Sequence, residues 1–159
     1  MDTIVVGLDG SKGAERAVLW AAKQAQVTGA RVIAVHAVPR SELWMFDAVQ
    51  IDTDKLLVEV RGQLEGAWVA SLRKAGVEYT TRLVRGDPAA ELLRVAKRAH
   101  AVVLVVGSKG HSAMADLVVG GTVHKVINRS DTPVVLVPAS PPGRKGAAPT
   151  AAAGRRSAR

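Results

Sequence analysis

The feature that most constrains the fold of this chain is an uninterrupted apolar run, Val102 to Val106, which leads directly into Gly107-Ser108-Lys109-Gly110. Five consecutive valine or leucine residues predict a strand buried on both faces, as in parallel sheets that helices cover on each side. A glycine at the end of such a strand lets the backbone approach a ligand, because no Cβ stands in the way. The sequence therefore predicts an α/β domain with a ligand site beside this strand.

A second glycine-rich segment, Gly120-Gly121-Thr122, stands immediately before an amphipathic run. Unpaired N–H groups and the positive end of the helix dipole converge at such helix starts and bind phosphate. The basic residues Lys109, Lys125 and Arg129 outnumber Asp116 across this region. We interpret the two glycine segments as a phosphate cradle. An alternative for any single glycine is that it only forms a turn and a close contact between helix and sheet.

The spacing of the glycines excludes two common phosphate loops. A P-loop requires a Gly-Lys-Ser/Thr triplet, which the sequence does not contain. The dinucleotide-binding fingerprint has one residue between its first two glycines, whereas two residues separate Gly107 from Gly110. The pattern is instead Gly107-x2-Gly110-x9-Gly120.

Strands and helices alternate along the chain. Strands are expected at residues 3–8, 31–38, 77–84, 102–106 and 133–137, and helices between them. This alternation predicts a doubly wound sheet of parallel strands with right-handed crossovers. Ligands bind such sheets beyond the carboxyl ends of the strands, where the strand order reverses. If the first and fourth strands are neighbours there, Asp9 lies across one crevice from Gly107.

Two segments between the strands carry apolar residues whose packing needs explanation. A loop is expected from Pro39 to about Asp52, and its four large apolar residues, Leu43 to Phe46, would enter the core, cover a ligand or contact a partner chain. An unbroken helix is expected from Thr53 to Lys74. Its core-facing stripe would consist of residues four apart: Leu56, Val60, Leu64, Trp68 and Leu72.

Composition narrows the classes of function. The chain has no cysteine, which excludes disulfides, thiolate catalysis and zinc–sulfur sites. Its net charge of +8 includes five positive residues after the last strand, in an Ala-, Pro- and Gly-rich segment. We expect residues 1–139 to form one domain and residues 140–159 to be a disordered, solvated tail, so nucleic acid is not an expected partner. Without a signal peptide or an apolar run of membrane length, the expectation is a cytoplasmic protein with no membrane partner.

In their order along the chain, these motifs resemble the universal stress protein family over residues 3–138. The motifs that carry the resemblance are Val5 to Ser11, Val35 to Val38, Gly86-Asp87-Pro88, the spaced glycines from Gly107 to Gly120, and Thr132 to Val137. The resemblance implies five parallel strands in the order 3-2-1-4-5 flanked by helices. It also implies a homodimer formed through the last strand, and a bound adenine nucleotide, ATP in the nucleotide-binding members.

The resemblance further assigns roles at the site. Asp9 would contact the ribose or a metal such as Mg²⁺, and the backbone at Ala37 and Val106 would border the adenine. The phosphates would be held by Gly107, Lys109, Gly110, Gly120, Gly121 and Thr122. Gly121 departs from the family pattern, in which Ser or Thr directly follows the last motif glycine. Either Thr122 supplies this hydroxyl or the contact is missing.

Two functions fit these features. The first is an ATP-binding regulatory protein that acts as a nucleotide-dependent switch in the stress response. The alternative is a weak ATP hydrolase or phosphotransferase that uses Lys109, a metal at Asp9 and the N–H cradle of the same site. No general base is evident, since His111 and His124 are candidates only by proximity, and we therefore expect binding without efficient turnover. A receiver-like phosphoacceptor is excluded because Asp9 stands nearly alone, whereas that chemistry needs several acids.

Overall fold

The computed structural model describes residues 1–50, 52–108 and 120–139. Within these ranges the elements are, in chain order, β1 (Thr3–Gly7), α1 (Lys12–Thr28), β2 (Arg31–Val38), α2 (Arg40–Ala48), α3 (Thr53–Glu65), a 3₁₀ turn (Ala67–Val69), α4 (Ala70–Ala75), β3 (Tyr79–Arg85), α5 (Pro88–Arg98), β4 (Val103–Gly107), α6 (Gly121–Arg129) and β5 (Val134–Val137). The predicted tail at 140–159 lies outside the described residues, so the domain boundary at 139 stays a prediction.

The sheet has the predicted topology. Its five strands lie in the order β3-β2-β1-β4-β5, and every neighbouring pair is parallel. The central strand β1 pairs with β2 on one side and with β4 on the other, where Val5 is level with Leu104. The strand order reverses between β1 and β4, so the segments that follow these two strands meet at one edge of the sheet.

Helices cover both faces of the sheet. On one face α1, the 3₁₀ turn and α4 enclose a core cluster that includes Val6, Val32 and Val105. On the other face α5 and α6 enclose a cluster that includes Val5 and Leu104. Because both faces are covered, β4 is apolar at every position before its final glycine, as the sequence predicted.

The helix ends follow local sequence rules. Ser11 caps α1 by accepting a hydrogen bond from Ala14 N at 3.2 Å, and Asp87 caps α5 through Ala90 N at 3.1 Å with Pro88 in the first helical position. Gly29 ends α1 with a φ of 70°, in the left-handed region that glycine enters without strain. In the described part of the chain, no helix combines the length and the apolar character needed to cross a bilayer.

The prediction of a loop from Pro39 to Asp52 is wrong, because residues Arg40–Ala48 of this segment form the helix α2. Four consecutive apolar residues point in different directions around a helix, so they cannot all reach the core. Leu43 and Phe46, three residues apart, are half-buried on one side, while Trp44 is 75% exposed.

The single helix expected from Thr53 to Lys74 is also wrong. A four-residue spacing advances about 40° beyond a full turn at each step, so five such residues cannot share one face of a straight helix. The chain instead ends α3 at Glu65, passes through Gly66 with φ −102° and ψ −100°, and forms the 3₁₀ turn before α4. This break lets both Leu64 and Leu72 be buried, whereas Trp68 is half-buried.

Candidate functional site

A cleft with a volume of about 680 Å³ opens at the edge of the sheet where β1 and β4 end side by side. This volume lies within the roughly 300–1,000 Å³ typical of small-molecule sites. Several of the site residues predicted from the sequence line this cleft: Asp9, Ala37, Val106, Gly107, Gly120, Gly121 and Thr122. The predicted phosphate contacts Lys109 and Gly110, and the candidate base His111, lie outside the described residues.

The floor of the cleft is apolar. It is formed by buried side chains from four elements around the sheet edge: Val35 and Ala37 of β2, Val106 of β4, Leu92 of α5 and Val123 of α6. Such a surface accepts a flat apolar group, and the polar selectivity must come from the groups around its rim.

One rim of the cleft is the start of α6, where Gly120 is the N-cap residue. Its φ of −58° is open to any residue, so positive φ does not explain the glycine here. A Cβ built on Gly120 or on Gly121 would meet no atom of the described residues within 4 Å. The described residues therefore leave open space where these two side chains would stand, at the start of a nine-residue helix, and the first N–H groups of a helix attract anions.

Gly107 has a different reason to be glycine. A Cβ at this position would lie 2.5 Å from the carbonyl carbon of Gly13 and 2.9 Å from Ala14 N. The end of β4 thus packs directly against the backbone at the start of α1. The close contact between helix and sheet, considered above as an alternative, explains this glycine, which also lines the cleft.

On the opposite rim, the turn between β1 and α1 carries Asp9. Asp9 Oδ1 accepts a hydrogen bond from Ser11 N at 3.0 Å, and Gly10 between them has a φ of 78°. No group of three or more His, Asp or Glu side chains suited to a metal occurs among the described residues. Asp9 would offer Mg²⁺ a single carboxylate, which suits an ion that takes its other ligands from phosphate and water.

Two aromatic residues in the cleft wall were not singled out as site residues from the sequence. His36 Nδ1 lies 2.7 Å from Leu8 O, and since a carbonyl only accepts, this nitrogen carries the hydrogen. The ring of Trp68 meets His36 edge-to-face, with 5.1 Å between centroids and 74° between planes. The apolar stripe assigned Trp68 to the core. Its half-buried ring does pack against the core cluster that contains Val6 and Val32, and it also lines the cleft.

Residues 1–138 match the family model described as Usp, the universal stress protein family. The chain belongs to this family. A curated universal stress protein of Thermus aquaticus, encoded in the QAH/OAS sulfhydrylase 3′ region, is 30% identical over 136 residues, which cover 85% of this chain and 97% of the relative. The family resemblance inferred from the motifs is confirmed.

Solved structures of universal stress proteins share the fold. One, in complex with cAMP, is 28% identical, with a TM-score of 0.67 and coverage of 87% of this chain and 98% of that chain. Another, from Archaeoglobus fulgidus in complex with dAMP, is 25% identical, with a TM-score of 0.67 and coverage of 86% and 98%.

In this universal stress protein an ion pair joins two helix ends at the cleft. Asp87, which caps α5 and lines the cleft, has its Oδ1 2.9 Å from Lys125 Nζ of α6. The hydrogen bond from Lys125, followed by that from Ala90 N, lowers the pKa of the Asp87 carboxyl below its ordinary value of 3.8. The two side chains remain 44% and 47% exposed, so water screens their attraction.

We expect an Asp87→Asn variant to lose a small, pH-dependent part of its stability. Asparagine caps helices as well as aspartate, so the change removes the charge and keeps the cap. A carboxylate with a lowered folded pKa stabilises the fold above the ordinary value of 3.8 and loses this effect as pH falls through the folded pKa. Urea denaturation should show a deficit below about 1 kcal/mol at neutral pH that vanishes in stronger acid. A deficit of constant size across this range would contradict the assignment.

Proposed function

We propose that this universal stress protein binds an adenine nucleotide, ATP with Mg²⁺, in the cleft at the ends of β1 and β4. The observation that carries the proposal is the meeting of an apolar floor with the start of α6, where Gly120 and Gly121 leave the helical N–H groups accessible. Support also comes from the solved relatives in complex with cAMP and dAMP. Nucleotide binding would act as a switch in the stress response by changing the surface that partners recognise.

The proposed arrangement assigns each part of the nucleotide to one part of the cleft. The adenine lies on the floor and is bordered by the backbone at Ala37 and Val106, while the phosphates face Gly120, Gly121 and Thr122. Asp9, on the other rim, contacts the ribose or holds Mg²⁺. An anion at the start of α6 would be stabilised by both the N–H groups of the first helical turn and the helix dipole.

Two measurements test this function. In the first, protein purified without added nucleotide is denatured, and the released ligand is identified by absorbance and mass spectrometry. In the second, isothermal titration of folded protein from which bound ligand has been removed gives the affinity for ATP. Release of intact ATP supports the switch, whereas ADP with time-dependent phosphate release supports the alternative of a weak hydrolase. Failure of the folded protein to bind any adenine nucleotide would contradict the proposal.

Thr122 is proposed to replace the hydroxyl that Gly121 lacks. It is half-buried and lines the cleft one position further into α6. We expect Thr122→Val to weaken ATP binding markedly, since a hydrogen bond to charged phosphate contributes up to about 3 kcal/mol. Gly121→Ser should then add a redundant bond and change the affinity by at most roughly fivefold.

Isothermal titration of the two variants measures both effects, and Thr122→Ser serves as the matched control because it keeps the hydroxyl. A larger effect of Gly121→Ser than of Thr122→Val would contradict the proposal that the Thr122 hydroxyl takes the place of the Ser or Thr hydroxyl usual at position 121.

The same proposal includes a homodimer formed through β5. This strand pairs with β4 on one side, and no other strand of the described residues pairs with its second side, which would pair with a second copy in the dimer. Its sequence, Val134–Val137, contains no charged residue. We expect light scattering to give the mass of a dimer at the concentrations used for calorimetry, and a monomeric mass there would contradict this assembly.

A further inference from the structure

Trp68 packs against the backbone turn that carries Asp9. A Cβ built on Gly10 would lie 2.7 Å from Trp68 Cζ2, 2.9 Å from Cε2 and 3.1 Å from Nε1. The indole therefore lies against Gly10, the residue between Asp9 and Ser11, both of which line the cleft. The break at Gly66 and the 3₁₀ turn after it place Trp68 here.

The indole N–H of Trp68 is available to a ligand. No described residue accepts a hydrogen bond from Nε1, and no side-chain nitrogen or oxygen in the described part of the chain is both buried and without a hydrogen-bond partner. Nε1 is therefore reachable by solvent, on the part of the ring that lies against the Asp9 turn. Buried or half-buried tryptophans usually give this hydrogen to a partner, and here a bound molecule would supply one.

We infer that Trp68 contacts the bound nucleotide and donates its Nε1 hydrogen to a ribose hydroxyl oxygen. The inference rests on the proposed function, because it needs the phosphates at the start of α6. The sugar is attached directly to the phosphates, so it would lie between the start of α6 and the turn that carries Asp9. A hydroxyl both donates and accepts, which matches a carboxylate next to an N–H donor. Trp68 thereby makes the site selective for ribose over deoxyribose.

The first test compares sugars. Isothermal titrations with ATP, 2′-deoxy-ATP and 3′-deoxy-ATP are run on the wild type and on Trp68→Phe, which keeps an aromatic ring against Gly10 and His36 and lacks the N–H. The wild type should prefer ATP over one deoxy analogue by about fivefold, and Trp68→Phe should lose this preference by binding ATP about fivefold more weakly. The matched control is Trp44→Phe on α2, which is 75% exposed, does not line the cleft and should behave as the wild type.

The second test observes Trp68 directly. The chain has three tryptophans, so Trp20→Phe combined with Trp44→Phe leaves Trp68 as the single indole fluorophore. Its emission should change with ATP and saturate together with the calorimetric isotherm. Full ATP affinity and unchanged sugar preference in Trp68→Phe, or constant emission while calorimetry registers binding, would overturn the inference and leave the proposed function standing. Absence of any calorimetric binding to the wild type would overturn both.

Discussion

A Gly120→Val protein is expected to fold as the wild type does and to lose ATP binding. Its φ of −58° suits valine, and a Cβ there meets no described atom within 4 Å, so the melting temperature should change little. The branched side chain would instead occupy the space through which phosphate approaches the start of α6. Loss of two hydrogen bonds to charged phosphate, each worth about 1.5 kcal/mol, weakens affinity roughly a hundredfold.

Isothermal titration and thermal melting measure the two halves of this expectation. Gly62→Val is the matched control, since Gly62 on α3 also has open space at its Cβ and does not line the cleft. Unchanged affinity in a folded Gly120→Val protein would show that the start of α6 is not the phosphate site.

Gly107→Val should show the reverse pattern, a large loss of stability. Its Cβ would lie 2.5 Å from the backbone of Gly13, closer than non-bonded atoms approach, so β4 and α1 would have to move apart. Overpacking of this kind costs up to about 3 kcal/mol, and more where backbone must shift. For a domain of this size, that loss lowers the melting temperature by roughly 6 to 12 °C.

Thermal and urea denaturation measure this effect, with Gly62→Val again as the control because a Cβ at that position meets no neighbour. A wild-type melting temperature in Gly107→Val would mean that the start of α1 is farther from β4 than the structure places it.

Features that depend on neighbours along the chain were predictable from the sequence. The caps at Ser11 and Asp87 need a side chain and an N–H group three residues apart, and the left-handed end at Gly29 needs one glycine. The strand order followed from the family resemblance. Together these features placed Asp9 and Gly107 at the same edge of the sheet.

Features that depend on contacts between distant segments were not predictable in this way. The helix α2 and the break at Gly66 arise because two stretches of apolar residues cannot all reach one core surface. The reason for glycine at 107 is Gly13, almost a hundred residues earlier. In the same way, the place of Trp68 in the cleft depends on its contact with Gly10, which cannot be predicted from the residues next to either of them in the sequence.

The two edges of the sheet differ in a way that limits how many copies can associate. The edge strand β3 exposes Thr80, Arg82 and Arg85, whereas β5 at the other edge carries no charge. Charged residues on an edge strand oppose the addition of another strand. A sheet that could pair at both edges would add further copies without limit. When β5 pairs with the β5 strand of a second copy, the edge of each chain that can pair is already occupied. The proposed association therefore closes at two chains and leaves an arginine-bearing strand at each end of the joined sheet.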